Sequence, residues 1–315
     1  MPIMKAQSKV LSAEGIPLRR KKKKQWSLLW LTLPFMIVIL LVNYVPLAGW
    51  ILSVFDYRAG RSLLQCDFVG FKYFRMIFTD RNIPQVISNT LIFSAIWFVI
   101  SWMPMVFAIL LNEIQRSRFR KFAQTMTTLP NFIGWVIIYS IAFALFSTDG
   151  VLNLLIHQLG GPEAATNALA DSRSVYWVQT AIAQWKGLGW ASIIYIAAIS
   201  GIDQEQYEAA LIDGAGRFKC AWHITIPSIL PTYVVLLLLD IANILNTGYE
   251  QYFLFKNAIT ASKIEVLDLY VYRMGLQLAD YSYATAVGIT KSAISILMLF
   301  TANFIAKRIR GSSII

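Results

Sequence analysis

Residues 208–227 read EAALIDGAGRFKCAWHITIP, a polar stretch set between two long apolar runs. Its skeleton is Glu208-Ala209-Ala210, three residues, Gly214, nine residues, then Ile224, one residue, Ile226 and Pro227. Residues 207–212 favour a helix, being mostly Ala, Leu and Glu. Gly214 and Gly216 interrupt it, and glycine permits a sharp change of backbone direction. Residues 217–224 can resume a helix, with Pro227 near the entry to the next apolar run. Two short helices at an angle, on the end of a membrane span, make a knob that can fill a cleft on a partner. The plain alternative is an ordinary amphipathic loop.

The chain around this stretch is 315 residues long, 57% hydrophobic and 14% charged. Soluble domains are about a quarter charged, so the expected class is an all-α polytopic membrane protein. The formal net charge of +11 would suggest nucleic acid in a soluble chain. Here the basic residues sit at the ends of apolar runs, where topology explains them better. Residues 1–25 form a basic tail ending in RRKKKK at 19–24, and residues 311–315 a short C-terminal tail. The lysine cluster reads as an orientation signal in contact with lipid headgroups, or as a site for anionic lipid or a partner.

Six runs reach the roughly 20 residues a helix needs to cross a bilayer: 26–55, 85–112, 122–146, 175–201, 225–248 and 285–306. Together they form one membrane domain over 26–310, with the knob loop at 202–227. Pro34, Pro46 and Pro104 predict kinks. Seventeen Lys and Arg fall on the side that holds both tails, the 116–121 loop and the knob, against nine on the other. Both termini and the knob are therefore expected to be cytoplasmic. Cys66 and Cys220 then lie on opposite faces, so no disulfide is expected. Among the outer loops, 264–278 (IEVLDLYVYRMGLQL) predicts an amphipathic helix with Ile264, Leu267, Val271, Met274 and Leu278 on one face. Such a helix can rest on the bilayer, cap a pore or meet a soluble partner.

Lys186, Asp240 and Lys291 fall inside predicted spans, where a charge is costly and must face protein or a water-filled cavity. At about 1.5 Å per helical residue, all three reach a similar depth. They read as a polar translocation path extended by Asn243 and Asn246, or as an Asp–Lys pair that fixes helix packing. Glu250 and Gln251, near the outer end of the fifth span, join the pathway candidates. Tyr249 suits either the pathway or the lipid interface. Catalysis finds no footing: GxxxxGK[ST], HExxH, GxSxG and CxxC are all missing from the sequence. His157 and His223 have no metal-ligand spacing around them.

The 208–227 skeleton resembles the EAA loop of ABC-importer permeases, with Ile226 where Leu is usual. Tyr44-Val45-Pro46-Leu47, Ser53-Val54-Phe55-Asp56-Tyr57, residues 68–74 (FVGFKYF), Asn89-Thr90-Leu91 and Asp213-Gly214-Ala215 resemble the carbohydrate-uptake branch of type I importers. Gly187-Leu188-Gly189-Trp190, residues 192–195 (SIIY) and residues 270–273 (YVYR) look like its maltose-F-like members that serve polysaccharide fragments. This resemblance implies a type I permease fold of six transmembrane helices in a bacterial cytoplasmic membrane. It also implies partners: a second permease, two ABC ATPases that bind ATP and Mg, an extracellular solute-binding protein, an oligosaccharide cargo and membrane lipid, with no nucleic acid. The chain itself would bind no cofactor and no metal and would not be an enzyme. Glu208 would meet a basic ATPase residue, Ala209 and Ala210 would pack closely, Gly214 would form the bend, and Ile224, Ile226 and Pro227 complete the coupling loop. Two rival expectations remain within transport, a type I permease for a non-sugar solute and an ion-coupled secondary transporter using Asp240. A purely structural membrane subunit is a further one.

Overall fold

A computed structural model describes residues 23–160 and 167–310; most of the basic tail and the short C-terminal tail lie outside the described residues. The chain divides into two compact units, 1–51 and 52–315. In the first, α1 (Lys23–Ile39) passes Pro34 without a break, then continues as a π turn (Leu40–Tyr44) and a 3-10 segment (Val45–Val54). The change of winding falls where Pro46 lacks an N–H and its ring crowds the carbonyl four residues back. Residues 30–54 are long and apolar enough to cross a membrane.

The second unit is helical, with a single isolated antiparallel bridge, Phe55 to Phe68, among its described residues. Its helices are α2 (Lys72–Thr79), α3 (Ile83–Ile100), α4 (Met103–Asn112), α5 (Ser117–Thr128), α6 (Trp135–Phe146), α7 (Val151–Gly160) and α8 (Val175–Ser200). They continue as α9 (Gln204–Ile212), α10 (Arg217–Cys220), α11 (Ile226–Ala242), α12 (Glu250–Phe255), α13 (Ala261–Ile264), α14 (Leu267–Tyr272) and α15 (Tyr281–Arg310). Stretches 83–112, 135–156, 217–242 and 281–304 are each long and apolar enough to span, and α8 with the bent α9 makes the sixth candidate of the chain.

Three expectations change. The third span is not one helix over 122–146. It breaks at a 3-10 turn, Leu129–Phe132, and restarts at Trp135 after Gly134. Pro130 and Gly134 flank the break, and α6 and α7 supply the apolar 135–156 stretch. The fifth span ends at Ala242 rather than 248, because Asn243 leaves helical geometry (φ −100°, ψ 17°). The 264–278 segment is not one amphipathic helix. Glu265 and Val266 are extended, and a π turn (Arg273–Gln277) follows α14.

The reason for the last change lies on α3. Asn89 donates from Nδ2 to the carbonyls of Ser262 (2.8 Å) and Glu265 (3.0 Å), and accepts from the Tyr176 hydroxyl (2.8 Å). Thr90 Oγ1 accepts the Leu267 N–H at 2.9 Å. Side chains thus take the backbone groups that a continuous helix would use. Ile264, Val266, Leu269 and Tyr270 then sink into two apolar cores instead of lying on a surface. One core gathers α6, α8 and α12; the other gathers α2, α3, α14 and α15.

A third core, at the opposite end, joins α4, α8 and α11 through Ala108, Ile109, Tyr195, Ile199 and Ile229. There α8 also presses on α5. A Cβ on Gly189 would stand 2.3 Å from the Thr127 carbonyl, so only glycine lets these backbones meet.

Candidate functional site: a capped knob and an intramembrane cavity

The knob is α9, which leaves α8 at 71°. Asp203 caps its start, its Oδ1 accepting the Glu205 N–H at 3.1 Å. Gly214 closes its end with φ +75°. The Ala215 N–H reaches back to the Ala210 carbonyl (2.8 Å) and the Gly214 N–H to Leu211 (3.1 Å), the paired bonds of a Schellman cap. The spacing from Ala210 to Gly214 in the sequence motif is therefore the spacing this cap requires.

Beyond Gly214 the expected second short helix is not separate. Residues 217–242 run as one stretch through α10, a π turn at Ala221–Thr225 and α11. Pro227 follows directly on that π turn, at the start of α11. Glu208, Ala209 and Gly214 are exposed, as are Leu211 (61%), Ile212 (87%) and Phe218 (88%). Large apolar side chains this exposed on a polar loop fit a protein contact. Ile224 and Ile226 turn inward onto the third core, and Pro227 is exposed. Inside the elbow, the hydroxyls of Tyr207 and buried Thr225 are 2.9 Å apart, tying the knob to the start of α11.

Between α3, α8 and the end of α11 lies a half-open cavity of about 480 Å³. Lys186, Asp240, Asn243, Asn246 and Gln251, all pathway candidates, line it, together with Trp97 and Trp135. Glu250 and Lys291 do not. The expected Asp–Lys pair across the spans is not formed. Lys186 Nζ instead donates to the carbonyls of Pro130 (3.2 Å) and Asn131 (2.8 Å) and stands over the Trp135 ring. It compensates carbonyls freed where the third span breaks. Asp240 accepts the Trp97 indole N–H at 3.4 Å and makes no ion pair among the described residues. Lys291 pairs with Asp268 on α14.

The wall carrying the two asparagines is unwound chain, not helix. Residues 243–249 bridge α11 and α12, and Asn246 Nδ2 donates to Asn243 Oδ1 at 3.1 Å. Asp240 and Asn243 both face the cavity, the Asn243 N–H still bonded to the Leu239 carbonyl at 3.1 Å, and the break that follows brings Asn246 alongside. Gln251 is buried, its amide nitrogen shared between the Gln179 carbonyl and side chain, each at 2.8 Å. The sequence reading missed Trp97, Ser94 and Trp135 here. No charge marks them, and only the helix crossings bring them to the cavity.

Away from the cavity, a corner of buried phenols closes the far end. Asp80 accepts the hydroxyls of Tyr270 and Tyr283 (2.7 Å for the latter), and Asp56 accepts that of Tyr73 at 2.9 Å. Burial, then the Asp56 carboxylate, pushes the Tyr73 phenol up to about 12. Burial, then Asp80, does the same for Tyr270, again to about 12. Burial raises Asp80, but the hydrogen bonds from Tyr270, Asn82 and Tyr283 outweigh it and hold its carboxyl below the usual range.

Residues 102–311 match the family described as binding-protein-dependent transport system inner membrane component. The chain is 38% identical to Protein LplB of Bacillus subtilis over 91% of its own length and 90% of that protein. It is 36% identical to the polygalacturonan/rhamnogalacturonan transport system permease protein YteP of the same organism, over 96% and 97%. Among solved structures, a chain of a bacterial alginate ABC transporter, in complex with an alginate pentasaccharide-bound periplasmic protein, superposes with a TM-score of 0.82 at 31% identity, covering 93% of this chain and 98% of that one. A second structure, of an ABC transporter involved in the import of the acidic polysaccharide alginate, gives the same TM-score and identity over 91% and 97%. A knob at one end of a helical bundle, an unwound cavity within it and a family match over two thirds of its length lead to one conclusion: this chain is a multi-pass membrane permease of the binding-protein-dependent transport family.

Proposed function

We propose that the chain is one of two permease subunits of a type I ABC importer for oligosaccharides, including acidic polysaccharide fragments. The observation that carries this is the α9 knob, capped at both ends by Asp203 and Gly214, with Leu211 and Ile212 bare to a partner. Two partner ATPases bind ATP and Mg, and one of them receives this knob through Glu208, Ala209 and Ala210. Knob and both termini face the cytoplasm, as the Lys and Arg distribution argues. An extracellular binding protein delivers cargo at the opposite end. The relatives named for polygalacturonan and alginate support the sugar cargo over another solute.

The cavity suits a sugar. Trp97 and Trp135 offer apolar faces, and Asn243, Asn246 and Asp240 offer groups for hydroxyls. Coupling follows from the third core, which joins the knob's elbow to α4, α8 and α11. A push on α9 is delivered to the helices that wall the cavity. ATP and loaded binding protein must both favour the outward-open state for the cycle to run in one direction.

The test is cross-linking of Ala209→Cys to cysteines in the cleft of the co-expressed ATPase, with and without ATP. Nucleotide-sensitive cross-links are expected. Uptake that persists with no cross-link to any ATPase would overturn the assignment and leave an ion-coupled path through Asp240 to be measured.

A further inference from the structure

The unwound turn at 243–249 is anchored by side chains of two other helices. Past Ala242 the helical ladder gives way to short returns, Asn243 N–H to Leu239, Ile244 N–H to Ile241 and Asn246 N–H to Asn243, which leave the Ile244 carbonyl and the Gly248 N–H to other partners. Two side chains supply them. Ser94 on α3 donates to the Ile244 carbonyl at 2.7 Å. Asp268 on α14 accepts the Gly248 N–H through Oδ2 at 2.8 Å. Gly248 has φ +75°, so the chain reverses at the point where Asp268 takes hold. The other oxygen of Asp268 binds Lys291, an intramembrane charge on α15. Neither Asp268 nor Lys291 lines the cavity, yet Asn243, Asn246 and Thr247 on the tethered turn do.

We infer that Asp268 is a positioning residue for the cavity: it fixes the Asn243–Asn246 turn through the Gly248 N–H, and Lys291 serves to keep the Asp268 carboxylate aimed at that N–H. The inference rests on the reading of the cavity as the cargo path. It makes Lys291 part of the path's support rather than of its lining. An acceptor at 268 is the essential element; the ion pair is its means.

This separates two roles that a simple Asp–Lys packing pair would merge. Exchanging the charges, Asp268→Lys with Lys291→Asp, preserves the pair but removes the acceptor for Gly248. Neutralising both, Asp268→Asn with Lys291→Met, removes the pair but keeps a carbonyl oxygen that the Gly248 N–H can use. The tether predicts that the neutral double variant works and the exchanged one fails. A packing pair predicts the reverse.

The turn itself is read with a cysteine at position 246, in a background of Cys66→Ser and Cys220→Ala. The probe is a small methanethiosulfonate reagent, applied to the complete transporter in phosphatidylglycerol/phosphatidylethanolamine vesicles. Labelling at 246 is expected to change by about tenfold in the exchanged variant, the equivalent of losing one charge-assisted hydrogen bond. It should stay within about twofold of the parent in the neutral double variant. Equal labelling in parent and exchanged variant, or a neutral variant as perturbed as the exchanged one, overturns the inference. This reading needs no cargo. In parallel, binding protein loaded with di- or tetragalacturonate is added with the native Asn246 restored, and stimulated ATPase is compared with basal ATPase. The exchanged variant should lose stimulation while keeping basal turnover. If unexchanged protein shows no stimulation by any sugar, the cargo reading fails, while the labelling result still judges the tether.

Discussion

Gly214 shows how much of a motif is backbone geometry. Its φ of +75° and the two return bonds from 214 and 215 make it the stop of α9. Alanine there adopts left-handed geometry at a cost of about 1–2 kcal/mol. Gly214→Ala should therefore loosen the last turn of α9, raising amide hydrogen exchange at 210–215 by about tenfold, while asparagine, which tolerates that geometry, should do less harm. The sequence made this residue legible because glycine at a fixed distance from a helical run has few other uses. Asp203, the opposite cap, was missed in the sequence because it lies five residues before the start of the motif. Lys186 was legible as a buried charge and not as the partner of carbonyls 130 and 131, since those exist as acceptors only where the third span breaks.

At the scale of elements, α8 was readable to within a residue, 175–201 against Val175–Ser200. The failures cluster where side chains compete for backbone hydrogen bonds. Asn89 and Thr90 hold a break at Glu265 and Val266 within a helix that the apolar period alone predicts, and no local pattern in 264–278 reports a partner so distant in sequence. The same distance hides the phenol corner, which joins α2, α14 and α15 around Asp56 and Asp80. Its pH behaviour follows from the directions of its groups. A phenol raised to about 12 contributes stability that is complete below its unfolded value near 10 and is lost as pH rises through about 12. Asp80, held low, contributes above the unfolded carboxyl value of about 3.9 and loses that contribution as pH falls through its folded value. The difference titration of ultraviolet absorbance between the parent and Tyr73→Phe should have its midpoint near 12, not near the ordinary phenol value of about 10.

The whole molecule was legible as a membrane bundle from apolar run lengths, with the number of candidate spans readable and their internal breaks not. A run of hydropathy says how much chain is apolar; it does not say that residues 129–134 unwind or that α11 stops at Ala242. Orientation belongs to this scale, since it is set by the summed Lys and Arg of the loops and not by any one residue. Single cysteines at Ile212 on the knob and at Leu64, both more than four-fifths exposed, should divide cleanly. A membrane-impermeant maleimide added to intact cells should label position 64 and reach position 212 only after permeabilisation. The opposite pattern would invert the molecule and remove the knob from any cytoplasmic ATPase.

Gly189 carries a consequence for how such a permease can diversify. Its backbone contact with Thr127 leaves no room for a side chain, so the α5–α8 side of the bundle cannot be widened or re-angled by stepwise substitution there. The turn at 243–249 lies past the regular helix and is anchored to neighbouring helices by the Ser94 and Asp268 side chains. New cargo preferences should therefore arise asymmetrically, through changes in the turn and its anchors, while the α8 wall stays as a fixed gauge against which each new sugar is measured.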